Sequence, residues 1–171
     1  MSLDNLRSLL DERICRNLDL ASHTRALEEI DAVEPHSIKI VELAPAAPED
    51  DFNCVMFALD LYIQPATQGF LRPKYFADTE FLMHLIDSGY LAEAQGGVVD
   101  GNLAVYFSGD RATHVGKIGA GGRIVSKWGC GHVYDHMLFE VGTSYGDEVR
   151  CFQSISSDVA LAQLKRFRAL K

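Results

Sequence analysis

The sequence has no excess of basic charge and no long apolar run at its N-terminus. Its 16 Lys and Arg residues are outnumbered by 24 Asp and Glu residues, for a net charge of -8. Affinity for phosphate backbones comes largely from Lys and Arg that release counterions, so we expect no nucleic-acid partner. Charges interrupt the opening stretch MSLDNLRSLLDERICRNL every few positions, which fits neither a signal peptide nor a membrane span. We expect a cytoplasmic chain with no membrane partner, and export by a route that needs no such signal stays open.

Cysteines are few, and none are closely spaced. Cys15, Cys54, Cys130 and Cys151 form no CxxC pair, which in a cytoplasmic chain indicates free thiols rather than disulfides. The chain has 171 residues, 47% hydrophobic and 23% charged, which suits one globular domain that buries its core without disulfides.

The first half of the sequence carries mainly helical patterns. Leucine and isoleucine recur at three- and four-residue steps over residues 3–18 and predict a helix, and Ser22 looks like the cap of a second. The stretch SIKIVEL is a short strand candidate. Further along, ADTEFLMHLIDSGYL predicts a helix that begins at Asp78 or Thr79 and stops at Gly89.

The second half changes to strand patterns. From Gly96 on, β-branched and aromatic runs are separated by Gly and Asp, as in consecutive antiparallel strands, and DEVRCFQSI adds another strand. A capped helix over SSDVALAQLKRFRALK closes the chain. Helices followed by an antiparallel sheet predict an α+β fold.

We predict one structural unit with two parts. Residues 1–49 form an N-terminal helical extension, and residues 50–171 form the α+β domain with its C-terminal helix. We expect the extension to pack on the core, and an arm that binds a protein partner is the less favoured alternative.

Cys54 lies where the polar stretch before it gives way to the apolar run VMFALDLYI. Asp50, Asp51 or Asn53 can cap a helix there, and this helix would end by Pro65. The unpaired N-H groups of a first turn favour negative charge, and such a position lowers a cysteine pKa from about 8.5. A buried cysteine that fills the core is the alternative.

His114 lies in a strand that leads into the turn GAGG. If Ile118 and Ile124 share a face of this hairpin, alternation places Ser126 on the His114 face and Lys127 on the opposite one. A three-residue loop would set Ser126 directly opposite His114. The hairpin then offers an imidazole and a hydroxyl that orients it, two parts of a nucleophile, base and orienter arrangement.

These residues together resemble a known family. NCVMFAL at a helix start, followed 60 residues later (114 minus 54) by HVGKIGAGGRIVSKWG, is similar to the papain-like cysteine peptidases and amidases of the NlpC/P60 superfamily. The resemblance covers roughly residues 50–153. It implies a central helix bearing Cys54 packed on an antiparallel sheet, with Cys54 as nucleophile, His114 as general base and Ser126 in the third catalytic position.

The resemblance also implies a substrate class. We expect a peptide or a small amide-containing substrate, hydrolysed through a thioester, with no cofactor and no metal. Asn53, Trp128 and His132 are the predicted substrate-binding residues. Trp128 has core filling as its alternative role.

Two other functions stay open. One is a catalytically inactive protein that keeps the cleft and binds a peptide or protein partner. The other, less favoured, is a zinc-binding module in KWGCGHVYDHMLF, using Cys130, His132 and His136. What separates the enzyme from the inactive protein is whether Ser126 or a group from residues 129–136 reaches the free nitrogen of His114.

Overall fold

The computed structural model describes residues 2–46, 51–64 and 77–169. In these residues the chain is α+β, with a six-stranded antiparallel sheet and five α-helices. The helices are α1 (Leu3–Leu10), α2 (His23–Asp31), α3 (Cys54–Ala58), α4 (Thr79–Asp87) and α5 (Ser157–Ala169). The strands are β1 (Lys39–Glu42), β2 (Leu103–Ser108), β3 (Arg111–Ile118), β4 (Ile124–Lys127), β5 (Val133–His136) and β6 (Glu148–Phe152). No helix of the described part is long and apolar enough to span a membrane.

The sheet has the order β1-β5-β4-β3-β2-β6. Strands β2 to β5 follow one another as a meander, as the turn-punctuated second half of the sequence predicted. Strand β6 returns to the free side of β2, and β1 pairs with β5 on the other side. Strand β1 therefore ties the N-terminal part of the chain to the same sheet.

Helix boundaries follow local capping chemistry. The Asp78 carboxylate accepts the N-H of Phe81 at 3.0 Å to begin α4, and Gly89 ends it at φ +73°, so the predicted limits are confirmed. The first predicted helix is shorter than expected, because α1 gives way to a π-helical turn over Asp11–Cys15.

Helix α3 is also shorter than predicted. It ends at Ala58, well before Pro65, and Asp60 follows in the left-handed conformation at φ +53°. Aspartate tolerates this conformation better than most residues, so it can end a helix. The Asp60 carboxylate then pairs with Lys117 at 2.5 Å, which fixes the C-terminal end of α3 to β3.

The sheet buries a hydrophobic cluster on each face. We call one the Cys54 face, where α3, α4 and α5 pack; its buried residues include Val55, Phe57, Phe81, Leu85, Val105, Phe107, Val115, Leu161 and Leu164. We call the other the His114 face, where α1 and α2 pack; it includes Leu6, Leu10, Ile14, Ile30, Tyr106, Ile118, Ile124, Trp128 and Tyr134. Helices α1 and α2 therefore pack against the His114 face of the sheet. A protein partner for these helices stays a prediction.

Candidate active site

Asn53 fixes the start of α3. Its Oδ1 accepts the N-H of Met56 at 3.0 Å, so one of the three predicted caps is confirmed. The amide nitrogen of the same side chain donates to the carbonyl of Ala77 at 2.7 Å. Both polar groups of the Asn53 side chain are therefore used in structural hydrogen bonds. Substrate binding by Asn53 remains a prediction.

The Cys54 sulfur lies in a cradle of backbone donors. The N-H groups of Cys54, Val55 and Val115 bond to it, and the Lys127 ammonium adds positive charge nearby. Each of these favours the thiolate. Burial opposes them more strongly, and the net result is that the pKa of Cys54 is raised. The expectation of a lowered pKa is therefore wrong, because desolvation of the sulfur outweighs the helix start.

Strand geometry sets the sulfur at the level of the sheet. The N-H of Ile118 donates to Asn102 on the β2 side, so by alternation the N-H of Val115 points toward β4. The pairing of β3 with β4 includes Lys117 and Ile118 and stops there. The N-H of Val115 is therefore not used in pairing β3 with β4, and it is directed to the sulfur of Cys54 instead. This N-H belongs to the peptide group that joins His114 to Val115.

His114 is fully buried without a polar partner. It is 0% exposed, and neither Nδ1 nor Nε2 has a hydrogen-bond partner among the described residues. Its ring stacks on Tyr145, with centroids 4.1 Å apart and planes at 14°. Burial, with a smaller contribution from His136, lowers the pKa of His114 to about 3, so the imidazole is neutral at pH 7. The structure thus holds the predicted base neutral, one residue before the Val115 N-H that favours the Cys54 thiolate, without an imidazole–sulfur hydrogen bond.

Ser126 lies on the predicted face but not at the predicted position. Ile118 pairs directly with Ile124, which confirms the shared face. The same register sets Ser126 across from Gly116, so the expectation that it lies directly opposite His114 is wrong. A Cβ on Gly116 would come within 2.9 Å of the Ser126 Cβ and 2.5 Å of Ile124 Cγ2, so this crossing requires glycine. The loop from Gly119 to Arg123 is two residues longer than the three-residue turn that was expected.

Ser126 instead belongs to a separate buried chain of hydrogen bonds. His136 Nδ1 lies 2.8 Å from the carbonyl of Met137, which can only accept, so this nitrogen carries the proton. Nε2 is then the acceptor for the Ser126 hydroxyl at 2.8 Å. Trp128 Nε1 donates to the same hydroxyl at 3.0 Å. Ser126 is thus committed to His136, and its role as orienter of His114 stays a prediction that no contact supports.

Trp128 and His132 also have structural partners. Trp128 is 3% exposed and stacks on Tyr134 at 4.3 Å, which matches the alternative of core filling. His132 accepts the N-H of Ala44 at 2.9 Å and donates to the carbonyl of Leu20 at 3.1 Å. Substrate binding by either residue remains a prediction.

The zinc alternative finds no ligand set among the described residues, where no group of three His, Cys, Asp or Glu could hold a metal ion. His132 and His136 each use both ring nitrogens in hydrogen bonds. Cys130 lies in an exposed turn between β4 and β5.

Sequence reasoning missed two residues of this site. Strand alternation correctly predicts that Lys127 lies on the opposite face from His114, but it predicts no role for Lys127, although α3 packs on that face. Tyr145 is not predictable from strand alternation, because it lies in a loop 31 positions from His114 (145 minus 114). A lysine next to Trp128 and two residues after the apolar pair Ile124 and Val125 is the available signal for Lys127.

Comparison with protein-family models, with curated proteins and with solved structures finds no match to this chain.

Proposed function

We propose that the chain is a cysteine hydrolase, a peptidase or amidase, with Cys54 as nucleophile and His114 as general base. One observation carries the proposal: the N-H of Val115, next to His114 on β3, is a backbone donor that favours the Cys54 thiolate, while both nitrogens of the buried imidazole have no partner among the described residues. A buried polar group without a partner costs about 1–3 kcal/mol. A functional reason for this cost would be that an unpartnered nitrogen of His114 accepts the proton of Cys54 during the reaction.

The NlpC/P60-like, papain-type fold is part of the proposal. Its support is a helix that begins at Cys54 and packs on an antiparallel sheet, with the cysteine before the histidine along the chain.

The charges of the site suggest how the reaction would proceed. At neutral pH Cys54 is a thiol and His114 a neutral imidazole, because burial disfavours both ions. The S-H proton would move to His114 as the sulfur forms its bond to the amide carbon, and the N-H of Cys54 would help hold the oxyanion. The proton would then pass to the leaving amine as the C-N bond breaks. Water would hydrolyse the thioester, and an acyltransferase would use the same parts with another acceptor.

The test is acylation by p-nitrophenyl acetate, followed by peptide mass spectrometry. We expect acetyl transfer to Cys54, lost in Cys54→Ser. In His114→Gln the rate at Cys54 should fall by a factor on the order of 10² to 10⁴, because the base is removed. His84→Gln, on α4, is the matched control and should react like the parent.

Exposed Cys130 gives an internal reference in every sample, since its rate should not depend on His114. Equal rates at Cys54 in His114→Gln and in the parent would contradict the proposal.

A second candidate is a catalytically inactive protein that binds a peptide or protein. The observation that favours it is that no side chain among the described residues bonds to His114, while Ser126 is committed to His136. For this protein we expect no acetyl adduct at Cys54 under conditions that modify Cys130.

A further inference from the structure

We infer that Lys127 is a positioning residue of this site: its buried ammonium group is the charge that stabilises the Cys54 thiolate as it forms. The role rests on the proposed function, in which Cys54 must give up its proton as it attacks.

Lys127 is held beside the start of α3. It is the last residue of β4 and is 0% exposed, on the Cys54 face of the sheet. Its Nζ lies 3.0 Å from Asp51 Oδ1 and donates to the carbonyls of Gly131 at 2.5 Å and Gly129 at 3.4 Å. It also lies 5.0 Å from the centroid of the Phe52 ring. These contacts fix the ammonium against the two residues that come shortly before Cys54.

In the resting site the positive charge at the sulfur comes from Lys127 and not from His114. In a thiolate–imidazolium pair the histidine carries the compensating charge. Here burial holds His114 neutral, since its pKa is about 3. Lys127 is the group whose positive charge favours the ionised sulfur. Before the proton moves, the charge and the base are therefore supplied by separate residues, and His114 becomes a second cation only when it takes the proton.

The other titratable groups near the sulfur either reduce the stabilisation of the thiolate by Lys127 or are neutral. Asp51 partly offsets the ammonium charge and also accepts a hydrogen bond from the thiol of Cys130. Tyr145, in the loop before β6, interacts electrostatically with Cys54 and bonds to Cys15, and burial raises its pKa, so its hydroxyl stays neutral. The charge on the sulfur should therefore respond in opposite directions to loss of Lys127 and loss of the Asp51 charge.

The chain offers a matched control at the other end of α3. Lys117 pairs with Asp60 at 2.5 Å and lies 5.0 Å from the centroid of the Phe57 ring. Like Lys127 it contacts a carboxylate and a phenyl ring, but it is partly exposed and lies at the C-terminal end of the helix, away from the thiol. Lys117→Met removes a lysine ion pair from the other end of α3 and should leave Cys54 unchanged.

The experiment is the pH dependence of iodoacetamide alkylation at Cys54, read by peptide mass spectrometry on the full chain. In Lys127→Met the apparent pKa of Cys54 should rise by about one unit, a tenfold lower rate below that pKa. Lys127→Arg should restore most of the parent profile, because it keeps the charge. Asp51→Asn should lower the pKa of Cys54, since it removes the offsetting carboxylate.

Equal Cys54 profiles in Lys127→Met and Lys117→Met would overturn the inference. If Lys127→Met does not fold, Asp51→Asn decides, and an unchanged or raised pKa of Cys54 in that variant would overturn it as well. Acylation by p-nitrophenyl acetate is scored separately. A His114-dependent acylation with no effect of Lys127 on alkylation rejects Lys127 and keeps the hydrolase. The reverse result keeps Lys127 as the charge on the thiol and rejects the hydrolase.

Discussion

At the scale of single residues, two buried histidines in one sheet differ in the hydrogen bonds of their ring nitrogens. His136 uses both ring nitrogens, one with Ser126 and one with the carbonyl of Met137. His114, stacked on Tyr145, bonds through neither nitrogen to any residue that the structure describes. Stability alone would not maintain an unpaired imidazole in a core, because an apolar ring of similar shape would avoid the cost.

We therefore expect His114→Phe to stabilise the fold by about 1 kcal/mol, because it removes an unpaired polar group and keeps a ring against Tyr145. His136→Phe is the control and should destabilise the fold by about 1–3 kcal/mol, because it leaves the Ser126 hydroxyl without its acceptor. Urea unfolding at pH 7.5 measures both. A destabilised His114→Phe would show that the imidazole has a structural role.

At the scale of elements, the N-terminal helix holds the loop that carries Tyr145. Arg7 donates to the carbonyls of Val141, at 3.3 Å, and Gly146. Asp11, four residues on, accepts from the N-H and hydroxyl of Ser144. Cys15, four further, bonds to Tyr145. Residues spaced by four share one side of a helix, so a single side of this segment bonds to the loop whose Tyr145 stacks on His114.

Arg7→Met should therefore destabilise the protein by about 2 kcal/mol, because two buried carbonyls lose a charged donor. Arg13→Met is the matched control on the same segment. Its side chain is 43% exposed and pairs with Glu29 on α2, so its loss should cost under about 1 kcal/mol. The midpoints of urea unfolding compare the two variants. Similar losses of stability would mean that the hydrogen bonds of Arg7 to the loop do not stabilise the fold.

At the scale of the whole molecule, burial makes the fold sensitive to acid. His23, His114 and His136 all have a lowered pKa, in each case first because of burial, with values of about 3 for His114 and about 4 for His136. A histidine with a pKa lowered in the folded state is neutral there and binds its proton more readily when unfolded. Its contribution to stability is complete above the unfolded pKa near 6.5 and is lost as the pH falls toward the folded value.

The free energy of unfolding should accordingly fall by about 1.4 kcal/mol per pH unit for each of His114 and His136, between roughly pH 6 and 4. Urea unfolding at several pH values in this range tests the slope. His114→Phe should flatten it by the share of one group. A slope that is the same in the parent and in His114→Phe would contradict a neutral buried imidazole.

The elements that the sequence predicted well are those whose signals are local. Asp78 and Gly89 bound α4 because a cap and a left-handed glycine act within one turn. Alternation likewise assigned Ser126 and Lys127 to the correct faces of the hairpin, since the period of a strand is two. The α+β class followed from the same local patterns. The length of α3 was missed, because the left-handed Asp60 and its tie to Lys117 depend on β3.

The sequence by itself determined the start of α3 at Cys54, the strands, and the faces to which their side chains point, because caps and periodicity are properties of neighbouring residues. Tertiary structure alone decided which groups meet: Ser126 with His136, Tyr145 with His114, and Lys127 with the residues before Cys54. It also decided the charges, because burial raises the pKa of Cys54 and lowers that of His114. Desolvation depends on how the whole chain packs around a group, and no spacing in the sequence records it.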